Sequence, residues 1–294
     1  MGALAIIGLS TLPYFHDFIT DSEGLKSWVP VIGIENFLTD SNEKILGFST
    51  YRVLLYTFLV FVFASIGWAG WYRSARDKYY GYGLLLALSS GIYQIALIVL
   101  DLRRSIFNEL ETKLILLSLL FLILGYLSYK KHGLNIKKIT VWLSLAFLAV
   151  FPYLHDVLTD RGGTIWSWVP NLGIESFLTD SEGMVRGLRS YRLLLYLFGI
   201  YLFSHLGWIG WFMDAKGKKY RAFLLVPAAL SLYQIVMILM SWRETEFNSP
   251  SINLYITVGL SILLAINFYF NNRVSKKNGP IDKRTAIKPA ENEN

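Results

Sequence analysis

Between Arg52 and Arg73 the chain carries no charged side chain, and RVLLYTFLVFVFASIGWAGW is only the first of several such runs. GYGLLLALSSGIYQIALIVL, LILLSLLFLILGYL, VWLSLAFLAVFPYL, LLLYLFGIYLFSHLGWIGW, FLLVPAALSLYQIVMILM and INLYITVGLSILLAINFYF follow. A helix needs about 20 mostly apolar residues to cross the hydrocarbon of a bilayer. These runs reach or approach that length. The composition agrees: 54% of residues are hydrophobic and only 17% are charged, against about a quarter charged in soluble domains. A soluble helical protein would show recurrent polar stripes, and none recurs here. The expected fold class is therefore all-α, a polytopic integral membrane protein. Spans are expected at about 2–18, 52–72, 81–101, 110–129, 139–157, 192–212, 221–241 and 251–271.

The net charge of +7 does not indicate nucleic acid, because of where it lies. Lys and Arg cluster in the short segments 73–80, 130–138 and 213–221 and in the tail beyond Asn272, all between or after apolar runs. Basic residues held beside anionic lipid mark the cytoplasmic side. Both termini are then expected inside, in a plasma or inner membrane, with polar stretches 19–51 and 158–191 outside. The first apolar run lacks a basic n-region and a small-residue cleavage site, so it reads as a retained helix. The tail 273–294 is polar, basic and without apolar periodicity, the composition of a disordered segment. The absence of cysteine removes disulfides and thiolate sites.

The chain also writes one polar sentence twice. HDFITDSEGLKSWVPVIGIENFLTDSNEKILGFSTYR, from His16 to Arg52, returns as HDVLTDRGGTIWSWVPNLGIESFLTDSEGMVRGLRSYR, from His155 to Arg192. The echo extends into the apolar runs. Gly67-Trp68 and Gly70-Trp71 return as Gly207-Trp208 and Gly210-Trp211, Tyr93-Gln94-Ile95 as Tyr233-Gln234-Ile235, and Phe107-Asn108 as Phe247-Asn248. A period of this length fits a duplicated half, not a solenoid unit. The expected organisation is two four-helix repeats, 1–135 and 136–272. An even number of spans per half makes the repeats parallel, related by an axis along the membrane normal.

Each repeated loop carries one imidazole and several carboxylates: His16, Asp17, Asp21, Glu35 and Asp40 in the first, His155, Asp156, Asp160, Glu175 and Asp180 in the second. Such a set is a candidate for a divalent cation, though no helical ligand spacing such as H-E-x-x-H accompanies it, and nothing names a cofactor. A structural reading covers most of the same residues. Trp28 and Trp168 suit the headgroup layer. Pro30 and Pro170 suit the first turn of a short interfacial helix. Asp21 and Asp40, or the adjacent Thr20 and Thr39, suit caps and turns. Arg52 and Arg192 are positioned to reach phosphate or pair with a loop carboxylate. The spacing H-x-x-x-x-D, His16 to Asp21 and His155 to Asp160, is also that of an acid–base pair in glycerolipid acyltransferases. No other element of that family accompanies it, and the chain is not assigned there.

Inside the apolar runs the repeated polar groups are Gln94 and Gln234, expected to hydrogen-bond between helices. His205 stands opposite Ser65 and is not shared. No acidic residue sits in the middle of a run, which counts against a proton-coupled pump. No Walker loop, G-x-S-x-G elbow, dinucleotide fingerprint or haem motif is present. Three functional classes remain. The first is a non-enzymatic membrane protein whose paired outer loops dock a protein partner or sense a ligand. The second is a small-solute or ion transporter or channel with its pathway between the repeats. The third is a membrane enzyme using loop His, Asp and Glu on a lipid-linked substrate. The first is preferred, since the repeated chemistry is in the loops and charge within the apolar runs is scarce.

The topology is testable directly. Single cysteines at Ser41 and Ser181 should react with an impermeant maleimide on intact cells, and one at Ser275 should not. Labelling of Ser275 alone would reverse the orientation.

Overall fold

The computed structural model describes residues 2–21, 24–30, 45–46, 48–133, 135–160, 162–170, 178–179, 185–186, 188–242 and 245–277. Ten α-helices lie among them: α1 Ala3–Ser10, α2 Phe15–Ile19, α3 Tyr51–Ala75, α4 Gly81–Val99, α5 Leu110–His132, α6 Ile136–Ala149, α7 Leu154–Leu158, α8 Tyr191–Asp214, α9 Leu225–Leu239 and α10 Pro250–Lys277. Extended pairing among the described residues is confined to isolated bridges such as Ile45 with Phe48 and Val185 with Leu188.

Seven of the helical segments are long and apolar enough to cross a membrane, and the chain is a multi-pass membrane protein. Its outer helices carry the signature of lipid as solvent. On α5, Ile115, Leu119, Leu122 and Ile123 are all more than half exposed, and on α10 Ile262 and Leu263 are too. A contiguous apolar face of this kind is not stable in water. Four helices, α3, α5, α8 and α10, overrun the expected spans, as α5 does through Lys130, Lys131 and His132, while α4 and α9 fall short of theirs. A helix keeps its own backbone bonds at the membrane surface while long basic side chains reach out to water.

Two of the expected spans are not single helices. The run expected over 2–18 breaks into α1 and α2, and the run over 139–157 into α6 and α7, each around a three-residue 3₁₀ turn, Leu12–Tyr14 and Phe151–Tyr153. Pro13 and Pro152 are the cause, since proline cannot donate to the preceding turn and tightens the chain instead. The joined segment Ile136–Leu158 still has the length of a crossing, whereas Ala3–Ile19 is shorter.

The centre of the bundle is the contact between α3 and α8. Gly67 lies on the backbone of Trp208, and Gly207 lies on the backbone of Trp68. Three residues on, Gly70 lies against the Trp211 ring and Gly210 against the Trp71 ring, so the helices run parallel and in register. The repeated Gly–Trp pairs are therefore packing devices. Each glycine leaves room for an indole on the facing helix, and the indoles stack in pairs along each helix, with centroids 5.2 Å apart for Trp68–Trp71 and 5.5 Å for Trp208–Trp211. Small residues that admit close approach are the usual basis of helix association in lipid.

The remaining helices interleave. α6 packs on α4, and α1 packs on α9 and α10, so each broken segment leans on helices from the other part of the chain. Corresponding positions share unusual backbone: Leu46 and Arg186 both have positive φ (46° and 51°), as do Asp101 and Ser241 (50° and 60°). Loop residues Ile45, Phe48, Val185 and Leu188 join one apolar cluster with Leu54 and Leu194, which brings parts of the two long loops together at one end of α3 and α8.

A Cβ added at Gly70 would stand 2.1 Å from Trp211 Cε3, and one at Gly210 would stand 2.2 Å from Trp71 Cε3. Gly70→Ala and Gly210→Ala should each destabilise the protein by about 1–3 kcal/mol, the usual cost of overpacking. Thermal unfolding in detergent measures this. Gly125→Ala, where nothing lies within 4 Å of the added carbon, should leave the unfolding temperature unchanged or slightly raised.

Candidate functional site

The proline breaks position the first functional residues. After Pro13 the chain makes the short helix α2, which ends where Thr20 turns extended and its hydroxyl donates to His16 O. After Pro152, α7 ends the same way, Thr159 donating to His155 O. The dipeptides His16-Asp17 and His155-Asp156 are thereby held at one end of the bundle. Beside each starts a long helix: Thr50 caps α3 by accepting from Val53 N–H, and Ser190 caps α8 by accepting from Leu193 N–H. The cap places Arg52 and Arg192 in the first turn, facing the carboxylates.

Two polar nests result. Arg52 Nη2 donates to Asp17 Oδ1 at 2.6 Å, and Arg192 Nη2 donates to Asp156 Oδ1. His16 Nε2 lies 3.3 Å from Asp17 Oδ1, and His155 Nε2 lies 3.4 Å from Asp156 Oδ1. Each imidazole also packs edge-on to a tyrosine of the neighbouring long helix, with centroid distances of 5.0 Å for His16–Tyr56 and 4.9 Å for His155–Tyr196. His16 Nδ1 approaches Pro13 O at 3.0 Å. A carbonyl only accepts, so the proton of that contact sits on Nδ1.

Each nest opens on a cavity built by both parts of the chain. The first, of about 300 Å³, joins His16, Asp17 and Arg52 to Gln234 of α9 and Asn253 of α10. The second, of about 380 Å³, joins His155, Asp156 and Arg192 to Gln94 of α4 and Lys113 of α5. Gln234 Nε2 donates to Asn248 Oδ1 at 3.0 Å, and its other contact reaches Asn253 on α10 at 3.5 Å, the interhelical role expected for it. Gln94 lines the second cavity beside Tyr153, whose hydroxyl donates to Ser90 O. A wider vestibule of about 820 Å³ shares Arg103, Asn108, Asp156 and Arg192 with the second cavity.

The two nests differ in charge. Lys113, only 3% exposed, donates from Nζ to Asp156 Oδ2 at 2.8 Å. At the matching place in the first nest stands Asn253, which is neutral. Asp156 is thus held by Lys113 and Arg192 in an enclosed site, while Asp17 is held by Arg52, whose side chain is 51% exposed. Arg103 adds another cation, its guanidinium 3.7 Å from the Phe48 ring centroid. Burial draws the Arg103 pKa below its ordinary value.

The other expected site residues fall elsewhere. Asp21 Oδ1 accepts from Gly24 N–H, and Asp160 accepts from the Thr164 amide and hydroxyl, so both close turns in the loops. The Thr164 bonds hold the Asp160 carboxyl below the usual range; what they contribute is present above the ordinary carboxylate pKa and lost as pH falls through the lowered one. The histidines lie beside the adjacent Asp17 and Asp156, not beside Asp21 and Asp160, so the H-x-x-x-x-D spacing does not form an acid–base pair. Trp28 and Trp168 are 64% and 62% exposed. Glu35, Asp40, Glu175 and Asp180, the remaining members of the candidate metal set, and the short helix expected after Pro30 and Pro170 lie outside the described residues. Among the described residues no three His, Asp or Glu side chains converge as a metal site.

Sequence reading missed Lys113, Asn253, Tyr56 and Tyr196 as site members. A lysine at the head of an apolar run reads as a residue reaching for the membrane surface. Only the meeting of the head of α5 with Asp156 turns it inward. Asn108 and Asn248 were visible as repeated residues without a role.

No protein-family model, curated protein or solved structure matches this chain.

The charge difference predicts unequal mutants. Asp156→Asn strands Lys113 in an enclosed site and should cost about 3–5 kcal/mol, the usual price of breaking a buried ion pair. Asp17→Asn frees a half-exposed arginine and should cost about 1 kcal/mol or less. Thermal or denaturant unfolding in detergent measures both. Adding Lys113→Met to Asp156→Asn should recover part of the loss, since no unpaired ammonium remains.

Proposed function

We propose that the protein is a non-enzymatic, ligand-recognising membrane protein built from two interlocked parallel repeats, with both termini in the cytoplasm and the two polar cavities open to the outer surface. The observation that carries this reading is the composite build of the cavities. Each takes its His-Asp-Arg nest from one repeat and its amide or lysine wall from the other. A ligand seated in either one touches both repeats at once, and the loops that frame it meet in a common apolar cluster. This is the layout of a recognition surface that reports occupancy to the whole bundle.

The dense packing between α3 and α8 supports recognition over conduction. The plane between the repeats, where a pathway would run, is filled by glycine backbone and stacked indoles. The H-x-x-x-x-D spacing adds nothing to the enzyme reading, because Asp21 and Asp160 are engaged in turns.

Two measurements test the proposal. Cysteines at Asn36 and Ser176 should crosslink under mild oxidation in membranes if the two loops form the common recognition surface proposed. Failure of these and all neighbouring pairs would remove the shared surface. Proteoliposomes should show potassium and chloride flux no greater than empty vesicles. Flux carried by the protein would move the assignment to transport.

A further inference from the structure

The two cavities repeat one plan, yet among the described residues only the second accumulates positive charge. In the second, Arg103, Lys113 and Arg192 stand around the single carboxylate of Asp156. Lys113 and Arg192 both bond that carboxylate. The Arg103 guanidinium forms no ion pair among the described residues and instead lies on the Phe48 ring. Among the groups that line the cavity itself there are two positive charges beyond its one carboxylate; Asp101 and Glu109, which attract Arg103 and Lys113, stand outside that lining. In the first cavity the described lining sets Arg52 against Asp17 and leaves no excess. Unbalanced charge in a partly enclosed cavity is costly unless a counter-charge occupies it.

We infer that the second cavity binds a phosphate monoester group, with Arg103 as the cation that the protein leaves unpaired for the ligand. This rests on the recognition reading above and names the ligand class of one of its two sites. A phosphate monoester carries about −1.5 to −2 charges at neutral pH, which matches the excess. Its three terminal oxygens accept the forked donors of arginine well. The amides of Gln94 and Asn108 line the same cavity and supply neutral donors. Phe61, Ile98 and Leu193 line it too, so a ligand with an apolar body beside its phosphate fits better than a bare ion. The vestibule provides the approach, since it shares Arg103 and Arg192 with the cavity, and its rim is mixed in charge, Arg104 standing with Glu109, Glu111 and Asp160. Among the described residues the two linings have thus diverged, Asn253 standing in the first where Lys113 stands in the second.

The same chemistry is offered by a lipid phosphate or by a soluble one, and the experiment separates them. Full-length protein in neutral detergent is titrated with phosphatidic acid in mixed micelles and, separately, with inorganic phosphate. Phosphatidylcholine and chloride at matched concentration are the controls, and binding is read from tryptophan fluorescence and from the rise in unfolding temperature. Phosphatidic acid should bind and stabilise more than phosphatidylcholine. Arg103→Gln should weaken binding about ten-fold, as expected for loss of one charged hydrogen-bond donor, with the unliganded unfolding temperature unchanged or raised, since one uncompensated cation is gone. Lys216→Gln, an exposed change at the far end of the bundle, should leave affinity unchanged. Binding of inorganic phosphate with the same Arg103 dependence, and no gain from lipid, supports the site and assigns it a soluble ligand. Two results overturn the inference: no binding of either probe above its control, or equal weakening by Arg103→Gln and Lys216→Gln. If the Asn36–Ser176 crosslink forms and flux stays at background in those cases, the recognition reading stands and only the ligand class falls.

Discussion

Everything in this bundle depends on how closely α3 and α8 approach. In lipid there is no hydrophobic force between helices, because the acyl chains are as apolar as leucine. Association must come from packing density, and here it comes from glycine backbone meeting indole on both sides of the contact. The parallel, in-register contact then dictates the rest. It sets the first turns of both helices side by side at one end, so Arg52 and Arg192 begin at the same level. It also brings the loop residues Ile45, Phe48, Val185 and Leu188 together above them.

At the opposite end the pairing is unequal. Asp214, the last residue of α8, accepts from Trp71 Nε1 at 2.9 Å, from the Tyr80 hydroxyl at 2.6 Å and from Lys78 Nζ at 2.5 Å, tying α8 to α3 and to the turn before α4. The equivalent residue at the end of α3 is Ser74, and the matching indole, Trp211, finds no partner for its N–H among the described residues. One latch therefore joins the parts where the sequence plan has places for two. Asymmetry occurs at both ends of the bundle, as a lysine in one nest and an aspartate in one latch, while the packed middle keeps its pairing.

How much of this was legible beforehand follows from the range of each interaction. Long helices were readable because charge-free runs have one stable form in a bilayer. The Pro13 and Pro152 breaks were visible as repeated residues, but whether a proline kinks a span or ends it depends on the neighbours that re-satisfy the freed carbonyls. Pairing of Arg52 and Arg192 with a carboxylate was readable; the choice of Asp17 and Asp156 was not, since it depends on the angle at which α2 and α7 leave the proline turn. The composite cavities were least legible. Lys113 and Asp156 are far apart in the chain, and no local pattern indicates that α5 faces α7.

The composite build bears on the order in which the protein can be made. A nascent chain inserts from its amino end. The nest of His16, Asp17 and Arg52 exists first, but the wall that completes its cavity is supplied by α9 and α10, which are made well after it. Until then a carboxylate and a guanidinium have only each other and the lipid surface for company. Lys113 likewise enters the membrane ahead of Asp156, the group that neutralises it. The two cavities are therefore closed at different times, the second once the start of α8 is in place and the first only with α10, so a chain truncated before α10 inserts with its first cavity lacking a wall.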